Sequence, residues 1–187
     1  MKKTKVTRDK KSGTSAEYRW ALTVFCMAVA LSAALSLASE SMLYGAGVAV
    51  AVLIFALFIG LGIVFDVIGV AVTAADPKPF HSVAAHKEKG AREALSLLRN
   101  ASRVSSVCND VVGDICGIVS GSTAAVIVTH LQRDFSTSSV LISIGATALI
   151  SGITIGGKAL GKTVAINQCT SVVYRVARIM HALHLSR

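Results

Sequence analysis

Charge and aromatic rings are both scarce in this 187-residue chain: charged side chains make up 16% of it and aromatics 5%. A soluble domain carries about a quarter charged residues. The 53% hydrophobic content therefore needs a home other than an interior core, and a bilayer supplies one. So few aromatic rings exclude a base-stacking platform, and the basic residues flank apolar segments instead of forming a stripe. The net charge of +9 thus gives no reason to expect nucleic acid. Paired cysteine spacing is also missing. Cys26, Cys108, Cys116 and Cys169 stand singly, mostly in or beside apolar runs, where a free thiol behaves as a small hydrophobe. That excludes a disulfide framework and a structural zinc site. No GxSxG or HExxH occurs, and GITIGG (152–157) lacks the Lys-Ser/Thr of a phosphate loop. No enzyme is expected.

What is present is long apolar runs. The first, WALTVFCMAVALSAALSLAS (20–39), matches the ~20 helical residues needed to cross a bilayer. It exceeds the usual apolar core of a secretory signal, so it is expected to stay as an anchoring helix behind a basic segment, 1–19. A second run, 43–75, would extend about 50 Å as one helix, so it must tilt or break near Gly60, Gly62 or Gly69. DPKP (76–79), which holds the chain's two prolines, ends it. The connector 76–103 reads as two short amphipathic helices separated near Gly90, suited to the membrane–water boundary. A third span is expected over 104–130, a turn at LQRDFST, a fourth span over 138–155, and then a basic amphipathic helix or helix pair. Such basic segments suit contact with anionic lipid.

Of the 19 lysines and arginines, all but Arg133 fall on one side of this four-span pattern. The positive-inside rule places that side in the cytoplasm. The expectation is an all-α, multi-pass cell-membrane protein with both termini cytoplasmic.

Three acids interrupt the apolar runs. Asp66 would lie ~15 Å from the inner boundary, Asp110 ~10 Å and Asp114 ~16 Å, so two helices bring carboxylates to similar depth. Asp110 and Asp114 share a helix face one turn apart, and Asn109 adjoins them. Gly113, Gly117 and Gly121 form a small-xxx-small series that lets membrane helices touch. A carboxylate at mid-bilayer costs at least about 2.5–3.5 kcal/mol, so something must neutralise these groups. Lys158 and Arg103 are expected to reach in only from the boundary. An all-oxygen set of Asp66, Asn109, Asp110 and Asp114 suits a hard cation, Mg²⁺ first and Ca²⁺ or Mn²⁺ after it. Protonated aspartates that merely lock helices, and a proton-coupled carrier, remain open as alternatives. His181 and His184, three residues apart, are expected to solvate the headgroup boundary and not to bind metal.

At these residues the chain resembles the transmembrane domain of the CNNM/CorC magnesium-transport family. The likeness runs from Leu57 onward, through FDVIGVAVTAAD (65–76), KEKGAREALSLLRNASR (87–103), VCNDVVGDI (107–115) and GGKALGKTVA (156–165). The last three resemble that family's G-x-x-x-A-x-x-L-L-x-N-P-x-R connector, its G-N-x-x-x-N-like helix and its G-E-x-x-P-K-x-x-A motif. Asp66 falls where the family has a serine ligand, Asn109 on its first asparagine, and Gly113 on its second with Asp114 beside it. Lys162 matches the motif lysine, while Lys158 replaces the glutamate and Gly161 the proline. The resemblance implies a transmembrane domain over 43–187 preceded by one extra helix, a homodimer, and efflux of Mg²⁺, with Mn²⁺ or Co²⁺ as further cargo. The family's nucleotide-binding CBS pair does not follow before Arg187, so the chain is expected either to lack that regulatory module or to borrow one from a separate cytoplasmic protein. A membrane scaffold or regulatory subunit that transports nothing is the competing expectation.

Overall fold

The computed structural model describes residues 13–45, 47–86, 88–134 and 140–183. Most of the basic segment 1–19, Ala46, Lys87, the end of the LQRDFST turn (135–137) with the expected start of the fourth span, and the tail from His184 lie outside these residues; the first four residues of that expected turn instead continue the helix to Asp134. Every regular element among the described residues is helical: α1 (Gly13–Leu43), α2 (Val48–Ala74), α3 (Lys78–Ala85), α4 (Ala91–Arg99), α5 (Ala101–Ser105), a π-helical segment (Ser106–Gly113), α6 (Asp114–Asp134), α7 (Val140–Asn167) and α8 (Cys169–Ala182). Four stretches are long and apolar enough to cross a bilayer: Tyr18–Leu43, Val48–Ala74, Ala101–Gln132 and Ser143–Asn167. The third of these joins α5, the π segment and α6 into one rod. This is an all-α, multi-pass architecture.

Contacts fix the relative directions of the spans. Arg103 lies over the Trp20 ring, 5.2 Å from its centroid, and Ser39 Oγ meets Thr123 Oγ1 at 3.5 Å, so α1 and the third span run parallel. Gly62 faces Cys116, Asp66 faces Gly113 and Gly69 faces Asn109, so α2 is antiparallel to the third span. Ile63 meets Gly157 and Gly161, and Val67 meets Gly161, which sets α7 parallel to α2. The spans therefore alternate in direction.

α2 passes unbroken through Gly60, Gly62 and Gly69, and its packing gives the reason. Gly62 and Gly69 are buried against the third span, where a Cβ would collide, so close packing offsets the poor helix propensity of glycine. The helix ends ahead of DPKP as expected, and the Lys78 N–H donates to Asp76 Oδ1 at 2.9 Å as the chain turns into α3. The two amphipathic helices of the connector are α3 and α4, and Gly90, at φ +89°, is the left-handed residue that starts α4.

The largest departure from expectation lies in the fourth span. It does not stop at Ile155. α7 continues through Gly156 and Gly157 to Asn167, because both Gly157 and Gly161 are packed against α2. Lys158 and Lys162 are thereby drawn inside a membrane-length helix.

Two apolar clusters bracket α2. One gathers Ala71, Val72, Phe80, Ala94, Leu97, Ala165, Val173 and Ala177 where the connector helices and α8 close the bundle. The other gathers Ile54, Phe58, Val111, Ile115, Cys116 and Val119, with α1 packed outside it. Asp66 lies on α2 between them.

Candidate functional site

The polar layer is built from three elements. α2 contributes Asp66, which is 5% exposed. α7 contributes Lys158, whose Nζ stands 3.1 Å from Asp66 Oδ2. The π segment contributes the opposite wall. A Cβ at Gly113 would lie 2.5 Å from Asp66 Oδ1 and 3.3 Å from the Cys108 carbonyl oxygen. Only glycine at 113 leaves the carboxylate room to lie against backbone.

One turn along α2, Gly69 plays the same part for Asn109, whose amide oxygen occupies the space a Cβ at Gly69 would take. Asn109 Nδ2 donates to Ser105 Oγ at 3.2 Å. Its Oδ1 is buried and accepts no hydrogen bond from any described residue. Buried polar atoms are nearly always partnered, so an orphaned amide oxygen one turn along from a buried carboxylate is an acceptor in want of a donor or a cation.

The expected four-residue cluster is therefore only half assembled. Asp66 and Asn109 both face the α2–third-span contact. Asp110 and Asp114 do not join them: both are exposed, and Asp110 Oδ2 accepts from Ser106 Oγ at 2.9 Å. The two acids point out of the bundle because residues 109, 113 and 116 take the inward face. Among the described residues no three His, Cys, Asp or Glu side chains stand close enough together to hold a metal. Any cation here would need amide and backbone oxygens beside Asp66.

The expectation about counter-charge is corrected. Lys158 does not merely touch the boundary; it pairs directly with Asp66 inside the span. Nine residues separate it from the end of α7 and eight separate Asp66 from the end of α2, so both sit ~12–14 Å from the same end of the bundle. Arg103, by contrast, is exposed and engages Trp20. The reading that ended the fourth span at Ile155 hid this pairing. The signal was the spacing of Gly157 and Gly161 around Lys158, a small-residue face that carries the lysine toward a neighbour.

His181 Nδ1 lies 2.8 Å from Glu93 Oε1, tying α8 to α4. His184 lies outside the described residues. Comparison with protein-family models, with curated proteins and with solved structures gives no match. Nothing in these comparisons identifies a CNNM/CorC domain.

Proposed function

We propose that the chain is a membrane carrier for small hard divalent cations, Mg²⁺ foremost and Mn²⁺ or Co²⁺ after it, working by alternating access in the efflux direction. One observation carries the reading: a carboxylate buried in mid-span faces a glycine-cleared backbone niche, one turn from an amide oxygen that no described residue satisfies. Asp66 supplies the charge, and Asn109 Oδ1 supplies a neutral oxygen. Hard cations favour such donors. Asp110 and Asp114 lie on the outer face of the same span and add negative potential along it, which concentrates cations near the entrance.

The wider reading follows the notion of a CNNM/CorC-like domain. The chain sits in the cell membrane with both termini cytoplasmic, bears on lipid through its exposed apolar residues, pairs with a second copy of itself, and takes regulation from a separate cytoplasmic protein. It is a carrier, not an enzyme.

A second reading, a scaffold or regulatory subunit that transports nothing, is favoured by a specific feature: Asp66 is already neutralised by Lys158. One experiment separates the two. The purified chain is placed in liposomes holding a Mg²⁺-sensitive dye, and wild type is compared with Asp66→Asn, Asp110→Asn and Asp114→Asn. A carrier gives flux that Asp66→Asn abolishes and the outer substitutions reduce. Equal flux in all four, or none in wild type, rejects the carrier.

A further inference from the structure

We infer that Lys158 is a tethered counter-cation: its ammonium holds the place of the transported ion beside Asp66 and must withdraw before a divalent cation can bind. The inference rests on the reading of Asp66 as the ion-binding carboxylate, and it adds how the empty site is kept neutral.

Three features support it. The ammonium and a metal ion would compete for one carboxylate, since Nζ already lies 3.1 Å from Oδ2. Two cations held together on a single buried carboxylate repel each other, so occupancy is exclusive. The pair is also asymmetric in burial. The side chain of Lys158 is 27% exposed and that of Asp66 only 7%. The carboxylate is held inside, while the lysine is the more exposed partner and stands on a long flexible stem that can swing. Finally, the ammonium leaves oxygens unused. Asn109 Oδ1 accepts nothing from the described residues, so the resting pair satisfies the charge of the site but not its acceptors. A divalent ion can draw on both.

The consequence concerns net transport. A carrier with a bare buried carboxylate cannot reorient when empty, because the naked charge would have to cross the dry middle of the bundle. Such a carrier exchanges one ion for another and moves none in net. With Lys158 swinging in as the ion leaves, the empty form stays neutral and can return.

The test uses the full chain in liposomes and in detergent, with Mg²⁺ and Mn²⁺ as probes and Lys158→Met as the variant, which keeps the length of the stem and removes the charge. Mn²⁺ binding is expected to tighten by about tenfold, within the usual span of coupling between competing ligands. Net Mg²⁺ efflux should fall while exchange of Mg²⁺ across the liposome persists. Adding Asp66→Asn should abolish the tightened binding. A second measurement needs no variant: in wild type, Mg²⁺ should speed labelling of Lys158 by a small amine reagent, read by mass spectrometry. Flux in wild type with unchanged Mn²⁺ affinity in Lys158→Met, or with Lys158 labelling that Mg²⁺ does not speed, overturns the inference and leaves the carrier standing. Metal binding that appears only in Lys158→Met, without flux in either protein, upholds the tethered ion and removes the carrier. Absence of both binding and flux in both proteins overturns the two together.

Discussion

The pairing of Asp66 with Lys158 turns on atoms that are absent. Burying an ion pair costs several kcal/mol of desolvation for each ion, and only good geometry recovers it. Here the geometry comes from glycines. Gly157 and Gly161 let α7 ride on Ile63 and Val67, and Gly113 lets the carboxylate rest on backbone. A methyl at 113 would press on Asp66 Oδ1 from 2.5 Å and on the Cys108 carbonyl oxygen from 3.3 Å, so the carboxylate that pairs with Lys158 would have to shift. Gly117, one turn further along, faces open space. The two glycines look alike in sequence and should respond oppositely. Gly113→Ala is expected to cost about 1–3 kcal/mol, the scale of overpacking a tight site. Gly117→Ala should be neutral or gain up to about 1 kcal/mol from helix propensity. Thermal unfolding of both variants in one detergent checks this, and a loss of equal size at the two positions would refute the assigned role of Gly113.

Helices were legible in the sequence because apolar run length and proline punctuation report directly on what a bilayer accepts. The boundaries at DPKP and near Gly90 and the amphipathic connector all follow from local chemistry. Two features were not local. The end of α7 depended on whether Gly156 and Gly157 were solvated, where they would break a helix, or packed, where they extend it; only the position of Ile63 decides that. The facing of the third span depended on its π segment, Ser106–Gly113, whose wider turn departs from the regular helical spacing used to place residues on a common face. Depth along a helix survives such a change, but azimuth does not. Asp110 and Asp114 were therefore placed at the right level and on the wrong side. The contact of α4 with α8 shows the same division. Gly90 reads as a separator, yet its Cα also lies against the backbone of Ala177 and Arg178, where a Cβ would come within 3.2 Å of the Arg178 nitrogen. Glu93–His181 and the Tyr174 hydroxyl donating to Glu88 Oε2 at 2.7 Å extend that contact. Gly90→Ala would add a clash to a left-handed φ, with a combined cost of about 1–3 kcal/mol. Faster amide exchange across α8, with α2 unchanged, is the expected outcome. Uniform protection in both helices would mean that α8 docks without Gly90.

For the molecule as a whole, the contacts leave one binary choice. Trp20 with Arg103, Asp66 with Gly113, and Ile63 with Gly157 fix how each span runs relative to the next, so assigning one loop to a side of the membrane assigns every other. The proposed orientation takes that choice from the basic residues. Moving Lys158 from the boundary into the bundle leaves the asymmetry intact, because the connector and both ends of the chain still carry nearly all the lysines and arginines, against Arg133 alone on the far side. The proposed orientation puts these positive segments in the cytoplasm, as the bias of lysine and arginine in membrane proteins favours. Ser82 on α3 and Ser41 at the end of α1 are both exposed and lie at opposite ends of the bundle. With Cys26, Cys108, Cys116 and Cys169 replaced by alanine, Ser41→Cys should react with a membrane-impermeant maleimide in intact cells. Ser82→Cys should react only after permeabilisation. The reverse pattern would put the connector, the Lys158 side of the proposed ion site and both termini outside, and the proposed efflux carrier would then have to be redrawn as an importer.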